Sequence, residues 1–174
     1  MSIKVLLTRP VLPTTSSPSF QDKSSSLFDM APVTGTIQTG DYYISSQNGR
    51  AWVALLDGNK GTPFTVSSDV GDINKLHVEK KSSPGKYKIS SIVFLNAATV
   101  PQDVSPGTEV ITGSTLQEWF IEETSIKGQY VVDVQPNPTG TKNYWNLVST
   151  NPGTAVTVTD DHSKAEKLRF ERVN

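Results

Sequence analysis

The chain contains no cysteine and only two histidines among its 174 residues. The first absence removes disulfides, thiol nucleophiles and cysteine metal sites together. The second leaves a Ser-His-Asp triad few partners. No apolar run approaches the ~20 residues needed to span a bilayer. Val5-Leu6-Leu7 after Lys4 is too short for a signal-peptide core of ~7–15 residues. Net charge is −1 and the basic residues never cluster, so neither a nucleic-acid footprint nor an acidic-membrane footprint is visible. A soluble, cytoplasmic protein is expected, with no nucleic-acid and no membrane partner and no cofactor.

Ser, Thr and Pro supply 15 of residues 2–34. Such a segment buries too little apolar area to offset its ordering entropy. The expected organisation is therefore a disordered tail over 1–35, most clearly Met1 to about Pro32, followed by one domain over 36–174. Met30 would serve as an alternative start for the compact part.

The domain repeats three times. Each unit opens on Gly-x-Tyr with a branched aliphatic two residues on: Gly40-Asp41-Tyr42 with Ile44, Gly85-Lys86-Tyr87 with Ile89, Gly128-Gln129-Tyr130 with Val132. A middle element begins on Gly-Thr at Gly61, Gly107 and Gly153, 46 residues apart each time. Between them lie Ala51–Leu55, Ile92–Leu95 and Asn143–Leu147, and each unit closes on a cassette: Lys75–Glu79, Glu118–Glu122, Lys167–Glu171. The runs are short, rich in Val, Ile, Thr, Tyr and Phe, and separated by Asn48-Gly49, Asp57-Gly58, Pro84-Gly85, Pro106-Gly107 and Pro152-Gly153. That pattern specifies strands and tight turns. No window shows a helical stripe.

Four strands in each of three units make a twelve-strand, all-β chain around a threefold axis, the β-trefoil arrangement. No unit buries its apolar face alone, so three share one core. The expected inward set is Tyr42, Ile44, Val53, Leu55, Val66, Leu76, Val78, Tyr87, Ile89, Phe94, Val110, Trp119, Ile121, Tyr130, Val132, Trp145, Leu147, Val156, Leu168 and Phe170.

Candidate chemistry is sparse. His77 is expected to face outward from a closing strand, and Asp160-Asp161-His162 to form a solvated turn, since Ca²⁺ needs ~6–8 oxygens in an organised loop. No carboxylate pair is selected by spacing, and no glycine cluster links a strand to a helix as a phosphate cradle requires. A binding protein is expected, not an enzyme.

The Gly-x-Tyr-x-Ile openings, the Gly-Thr third strands and the cassette Glu118-Trp119-Phe120-Ile121-Glu122 resemble the mushroom serine protease inhibitors of the cospin-like family, over about residues 36–174. The ending Leu168–Val173 is also similar. Leu76 and Leu168 depart from the tryptophan expected at that position. The resemblance implies a monomeric inhibitor of trypsin-like serine proteases, acting through one exposed, rigid loop. Lys164, flanked by Ser163 and Ala165, ranks first as the pocket residue; Asn59 and Lys60 rank second and Arg50 third. A related mushroom group inhibits cysteine proteases through two loops, here Ser45–Gly49 and Ser67–Asn74. A ricin-type lectin is the rival from another class. Gln117-Glu118-Trp119 matches its Gln-x-Trp motif once, whereas Asn74-Lys75-Leu76 and Glu166-Lys167-Leu168 do not. A sugar site would also require an Asp and a stacking aromatic in one unit.

Overall fold

The computed structural model describes residues 31–114, 117–134 and 140–173. Among these residues are twelve strands: β1 Gly40–Ser46, β2 Trp52–Leu55, β3 Phe64–Ser67, β4 Lys75–Lys80, β5 Lys86–Ser91, β6 Ala97–Thr99, β7 Ile111–Gly113, β8 Trp119–Glu123, β9 Tyr130–Val134, β10 Asn143–Asn146, β11 Thr157–Thr159 and β12 Leu168–Arg172. The antiparallel pairs β1–β4, β4–β5, β5–β8, β8–β9, β9–β12 and β12–β1 close a six-stranded ring. Closure leaves the ring without a free edge. The hairpins β2–β3, β6–β7 and β10–β11 stand outside it, one per unit.

The three hairpins meet in a cycle. Phe64 N–H donates to Val110 O at 2.8 Å, Val110 N–H to Val156 O at 2.8 Å, and Val156 N–H to Phe64 O at 2.7 Å. The Gly-Thr turns lock the same junction, with Gly61 N to Thr112 O, Gly107 N to Val158 O and Gly153 N to Val66 O. Each has its glycine at positive φ, between 83° and 90°, at the third position of a turn that needs it. This is a β-trefoil.

The opposite end of the ring is sealed by residues 33–38. The three repeated tyrosines donate to this strap: Tyr42 Oη to Gln38 O at 2.8 Å, Tyr87 Oη to Ile37 O at 3.2 Å, and Tyr130 Oη to Gly35 O at 2.7 Å. Ile37 is buried between them, and Val33 N–H donates to Phe170 O. Glu123 anchors the strap by accepting from Gly35 N at 3.0 Å, Gly128 N at 2.9 Å and Lys127 Nζ at 2.8 Å. Donation from Gly128, Lys127 and Gly35 holds its carboxyl pKa down at about 2. The expected boundary at residue 35 therefore shifts: Val33 and Gly35 belong to the domain, because their carbonyls and N–H groups are used by it. Residues 1–30, where the tail is expected, lie outside the described residues.

Of the expected inward residues, all but Phe94 are buried. Phe94 is only partly buried against the core. Its segment, Ile92–Leu95, is also not the second strand of its unit. Ser91 N–H donates to Asn96 O at 2.9 Å and closes 92–95 into a tight turn, so the strand begins five residues later than expected, at Ala97. Apolar content had mimicked a strand there.

That shift explains the lone closing-strand tryptophan. Register places Ala98 where the other units carry Val53 and Trp145, opposite Thr112, Val66 and Val158 respectively. The small Ala98 side chain leaves room for Trp119, which is fully buried, donates from Nε1 to Ala98 O at 3.0 Å, and meets Trp145 edge-on at 5.3 Å. Volume is exchanged between units at nearly constant packing.

Two outcomes follow. Ala98→Val should overpack against Trp119 and cost ~1–3 kcal/mol in urea unfolding. Trp119→Leu alone should cost a similar amount or more, and the double variant should lose clearly less than the two together. Separately, Glu123 has its pKa lowered on folding, so its contribution is complete above the ordinary value of 4.5 and is lost as pH falls towards about 2. Glu123→Gln should be less stable at neutral pH and should flatten that acid limb in urea titrations.

Candidate functional site

Each unit sets three residues abreast across its first, second and third strands, away from the central core cluster. In the first unit these are Ser45, Trp52 and Ser67; in the second, Ser90, Ala97 and Gly113; in the third, Asp133, Tyr144 and Thr159. Only the third set combines an acid, an aromatic ring and a hydroxyl. Asp133 lies opposite Tyr144 in the β9–β10 ladder, and Tyr144 opposite Thr159 in β10–β11.

Asp133 is fully buried, and its Oδ1 has no hydrogen-bond partner among the described residues. Its Oδ2 faces Lys142 Nζ at 3.3 Å, and the same ammonium reaches Glu122 Oε1 at 3.2 Å. Burial pushes the Asp133 carboxyl above its usual range; Lys142 offsets this in part, Glu122 adds to it and His162 reduces it. Lys142 is disfavoured by its own desolvation, but Asp133 and Glu122 together hold it above its ordinary value. Tyr144 is nearly buried, resting on Val131 and Ala165. The exposed His162 ring meets it edge-on at 5.0 Å. The result is a carboxylate with one unused acceptor beside an aromatic ring, covered by two polar surface side chains, Lys142 and His162.

His162 stands in a 3₁₀ turn, His162–Lys164. Asp161 caps it, accepting from Ser163 N at 2.9 Å and Ser163 Oγ at 2.6 Å, which lowers the Asp161 carboxyl pKa. Lys164 is largely exposed and lies 3.4 Å from Asp161 Oδ2. The residue after it, Ala165, is buried beneath Tyr144. The loop around Ser163, Lys164 and Ala165 is thus coiled and not extended, and Ala165 is not offered to a cleft. Asn59 and Lys60 occupy the turn closed by Thr62 N–H to Asn59 O at 3.2 Å. Asp57 Oδ1 accepts from Asn59 N at 2.8 Å and Thr62 Oγ1 at 2.6 Å, Thr112 Oγ1 donates to Asn59 O, and Asn96 Nδ2 donates to Gly58 O. Lys60 is exposed at the place held by Pro106 and Pro152 in the other units. Arg50 is exposed in the β1–β2 turn, after Gly49 at φ 64°. These three candidates stand on three different connections. His77, expected to be an idle outward residue, pairs through Nδ1 with Asp41 Oδ1 at 2.6 Å.

Among the described residues no group of three or more His, Cys, Asp or Glu could hold a metal. No helix among them is long and apolar enough to cross a membrane.

Asp133 and Tyr144 were legible in part. The requirement for an acid and an aromatic in one unit is a sequence expectation, but Asp133 sits in an alternating run and looks like an ordinary second-face residue. Its partner lies eleven positions on, and strand register alone sets them opposite each other.

No family model and no curated protein matches the sequence. Solved structures do match. The designed threefold-symmetric protein ThreeFoil superposes with a TM-score of 0.67 at 18% identity, covering 77% of this chain and 99% of that one. The Rhizoctonia solani agglutinin gives 0.69 at 13% identity, covering 82% and 100%. The ricin B-like lectin of Macrolepiota procera, solved in complex with lactose, gives 0.65 at 14% identity, covering 80% and 100%. These likenesses support the trefoil fold; they do not identify the cospin-like inhibitor family.

The site makes a prediction about stability. Asp133 has its pKa raised above 3.8 on folding, so its protonated form favours the native state and that advantage is lost as pH rises through the folded pKa. Asp133→Asn should match wild type in strongly acidic urea titrations and overtake it as pH approaches neutrality.

Proposed function

We propose that this chain is a carbohydrate-binding β-trefoil whose ligand site lies in the third unit, over Asp133 and Tyr144. One observation carries the reading: a buried carboxylate with an unused oxygen, set in register beside an aromatic ring. Carboxylate oxygens accept hydrogen bonds from sugar hydroxyls, and such charge-assisted bonds are about twice as strong as neutral ones. The C–H face of a pyranose needs an apolar aromatic surface, which the Tyr144 ring supplies once His162 turns aside. Lys142 then keeps Glu122 as a partner while Asp133 takes the sugar. The superposition on a lactose-bound lectin supports the same reading. No covalent chemistry is required of these residues, so the protein is read as a binder and not as an enzyme.

Inhibition of trypsin-like serine proteases is the second reading. It is favoured by the four-point bracing of the Asp57–Thr62 turn, which presents Lys60 with little entropy left to lose on binding. Lys60 then ranks above Lys164.

A glycan array with the wild-type protein should show binding. Asp133→Asn and Tyr144→Ala should each weaken it by about tenfold or more, the equivalent of ~1.4 kcal/mol, while Lys60→Ala leaves it unchanged. Absence of glycan binding, together with stoichiometric trypsin inhibition lost in Lys60→Ala, would replace the first reading by the second.

A further inference from the structure

A cleft of about 380 Å³ opens beside the strap, lined by Gly35 of the strap, Lys80 at the end of β4, Gly85 of the β4–β5 turn, Tyr87 of β5, and Ile121 and Glu123 of β8. That volume lies within the range of small-molecule sites, ~300–1,000 Å³. None of these residues belongs to the Asp133–Tyr144 site.

The next turn along the barrel shows what the cleft lacks. The β4–β5 and β8–β9 turns are built alike. Lys81 N–H donates to Lys86 O at 2.8 Å and Lys86 N–H to Ser83 O at 3.2 Å; Thr124 N–H donates to Gln129 O at 2.7 Å and Gln129 N–H to Ile126 O at 3.1 Å. Gly85 and Gly128 hold φ of 73° and 77°. In the β8–β9 turn the Glu123 carboxylate accepts from Gly128 N, and also from Gly35 N and Lys127 Nζ. These closing bonds set Lys80 opposite Glu123 and Pro84 opposite Lys127. A lysine ammonium accepts nothing. The Gly85 N–H therefore has no partner among the described residues, and the exposed Lys80 ammonium has none either. The strap packs on Gly128, where an added Cβ would meet Pro32 at 3.4 Å, but leaves Gly85 open, with only Phe120 at 3.8 Å.

We propose that this cleft binds a peptide of two or three residues with both termini free, its carboxylate on Lys80 and the Gly85 N–H and its ammonium on Glu123. The carboxylate takes from outside the place that Glu123 fills in the next turn, a glycine N–H beside a cation. Glu123 supplies the opposite charge. Its two oxygens accept from three donors, and a carboxylate offers about four lone-pair sites, so one acceptor is left for an ammonium. Those same donors keep the carboxyl ionised down to about pH 2. A plain anion is repelled by Glu123 and a plain cation by Lys80, so the two together select a zwitterion. Spacing selects its length. Lys80 and Glu123 end β4 and β8, with β5 between them. Adjacent strands lie about 4.8 Å apart, which separates the two main chains by roughly 9 Å or more. The charges of a single amino acid sit side by side, whereas an extended peptide spans roughly 3.3–3.6 Å per residue. Tyr87 and Ile121 give its side chains an apolar wall.

The test is an NMR titration of the full, isotope-labelled chain with trialanine, followed at the Gly85 amide. Trialanine should shift that resonance saturably. Acetylating its N-terminus or amidating its C-terminus removes one charge-assisted contact, and each change should weaken binding by about tenfold or more. Free alanine and acetate should bind more weakly than trialanine by a similar factor. Lys80→Met keeps the aliphatic stem, so its melting temperature should be unchanged while trialanine binding falls by about tenfold. Asp133→Asn should bind trialanine as wild type does, which separates this cleft from the proposed sugar site. No saturable shift with trialanine, equal binding of the capped peptides, or undiminished binding by Lys80→Met overturns the proposal. Acetate binding as tightly as trialanine makes the cleft a simple anion site and overturns it too.

Discussion

Three backbone hydrogen bonds, from Phe64 to Val110 to Val156 and back to Phe64, hold the three units to a common axis. None of the three hairpins can make this contact alone, because each donates to one neighbour and accepts from the other. The cycle ties one end of the barrel together through main-chain atoms, with the Phe64, Val110 and Val156 side chains buried in the core beside it. Side chains nearby are therefore free to differ, provided that the strands keep their length and the turns their glycines. At the other end the job falls to side chains: three tyrosine hydroxyls hold a strap whose Ile37 fills the opening.

With both ends tied, the units tolerate unequal cores. Trp119 fills space that Ala98 vacates, and Trp145 fills the corresponding space from the second strand of its own unit. The same tolerance acts on the second faces of the hairpins. Three equivalent positions hold Ser-Trp-Ser, Ser-Ala-Gly and Asp-Tyr-Thr. The scaffold is indifferent to which set is present, so chemistry can accumulate in one unit. The third unit has done so, at the cost of a buried carboxylate whose ionisation is disfavoured by burial and only partly compensated by Lys142. A buried charge with one partner and one unused oxygen contributes poorly to stability; its usefulness lies in the ligand it can accept.

The loops show how far local composition carries. The Gly-Thr turns were legible, because Gly61, Gly107 and Gly153 each need positive φ and recur at equal spacing. Ile92–Leu95 was not: four apolar residues resemble a strand until the Ser91–Asn96 bond closes them into a turn. Lys164 looked like a protease-facing lysine between small neighbours, yet Asp161 coils its loop and Ala165 is drawn under Tyr144. Residues 33–35 looked like tail by composition, but the Tyr130 hydroxyl that donates to the Val33 and Gly35 carbonyls comes from a distant strand.

By itself the amino-acid order determined the threefold plan, the strand count and nearly all of the core, since burial periodicity and turn glycines are local and repeat themselves. Tertiary structure alone decided which side chains face one another. The pairing of Asp133 with Tyr144, the bracing of the Asn59–Lys60 turn and the joining of Asn96 to Gly58 depend on ladder register and on contacts between units. Those are set by closure of the whole barrel, which no local pattern encodes.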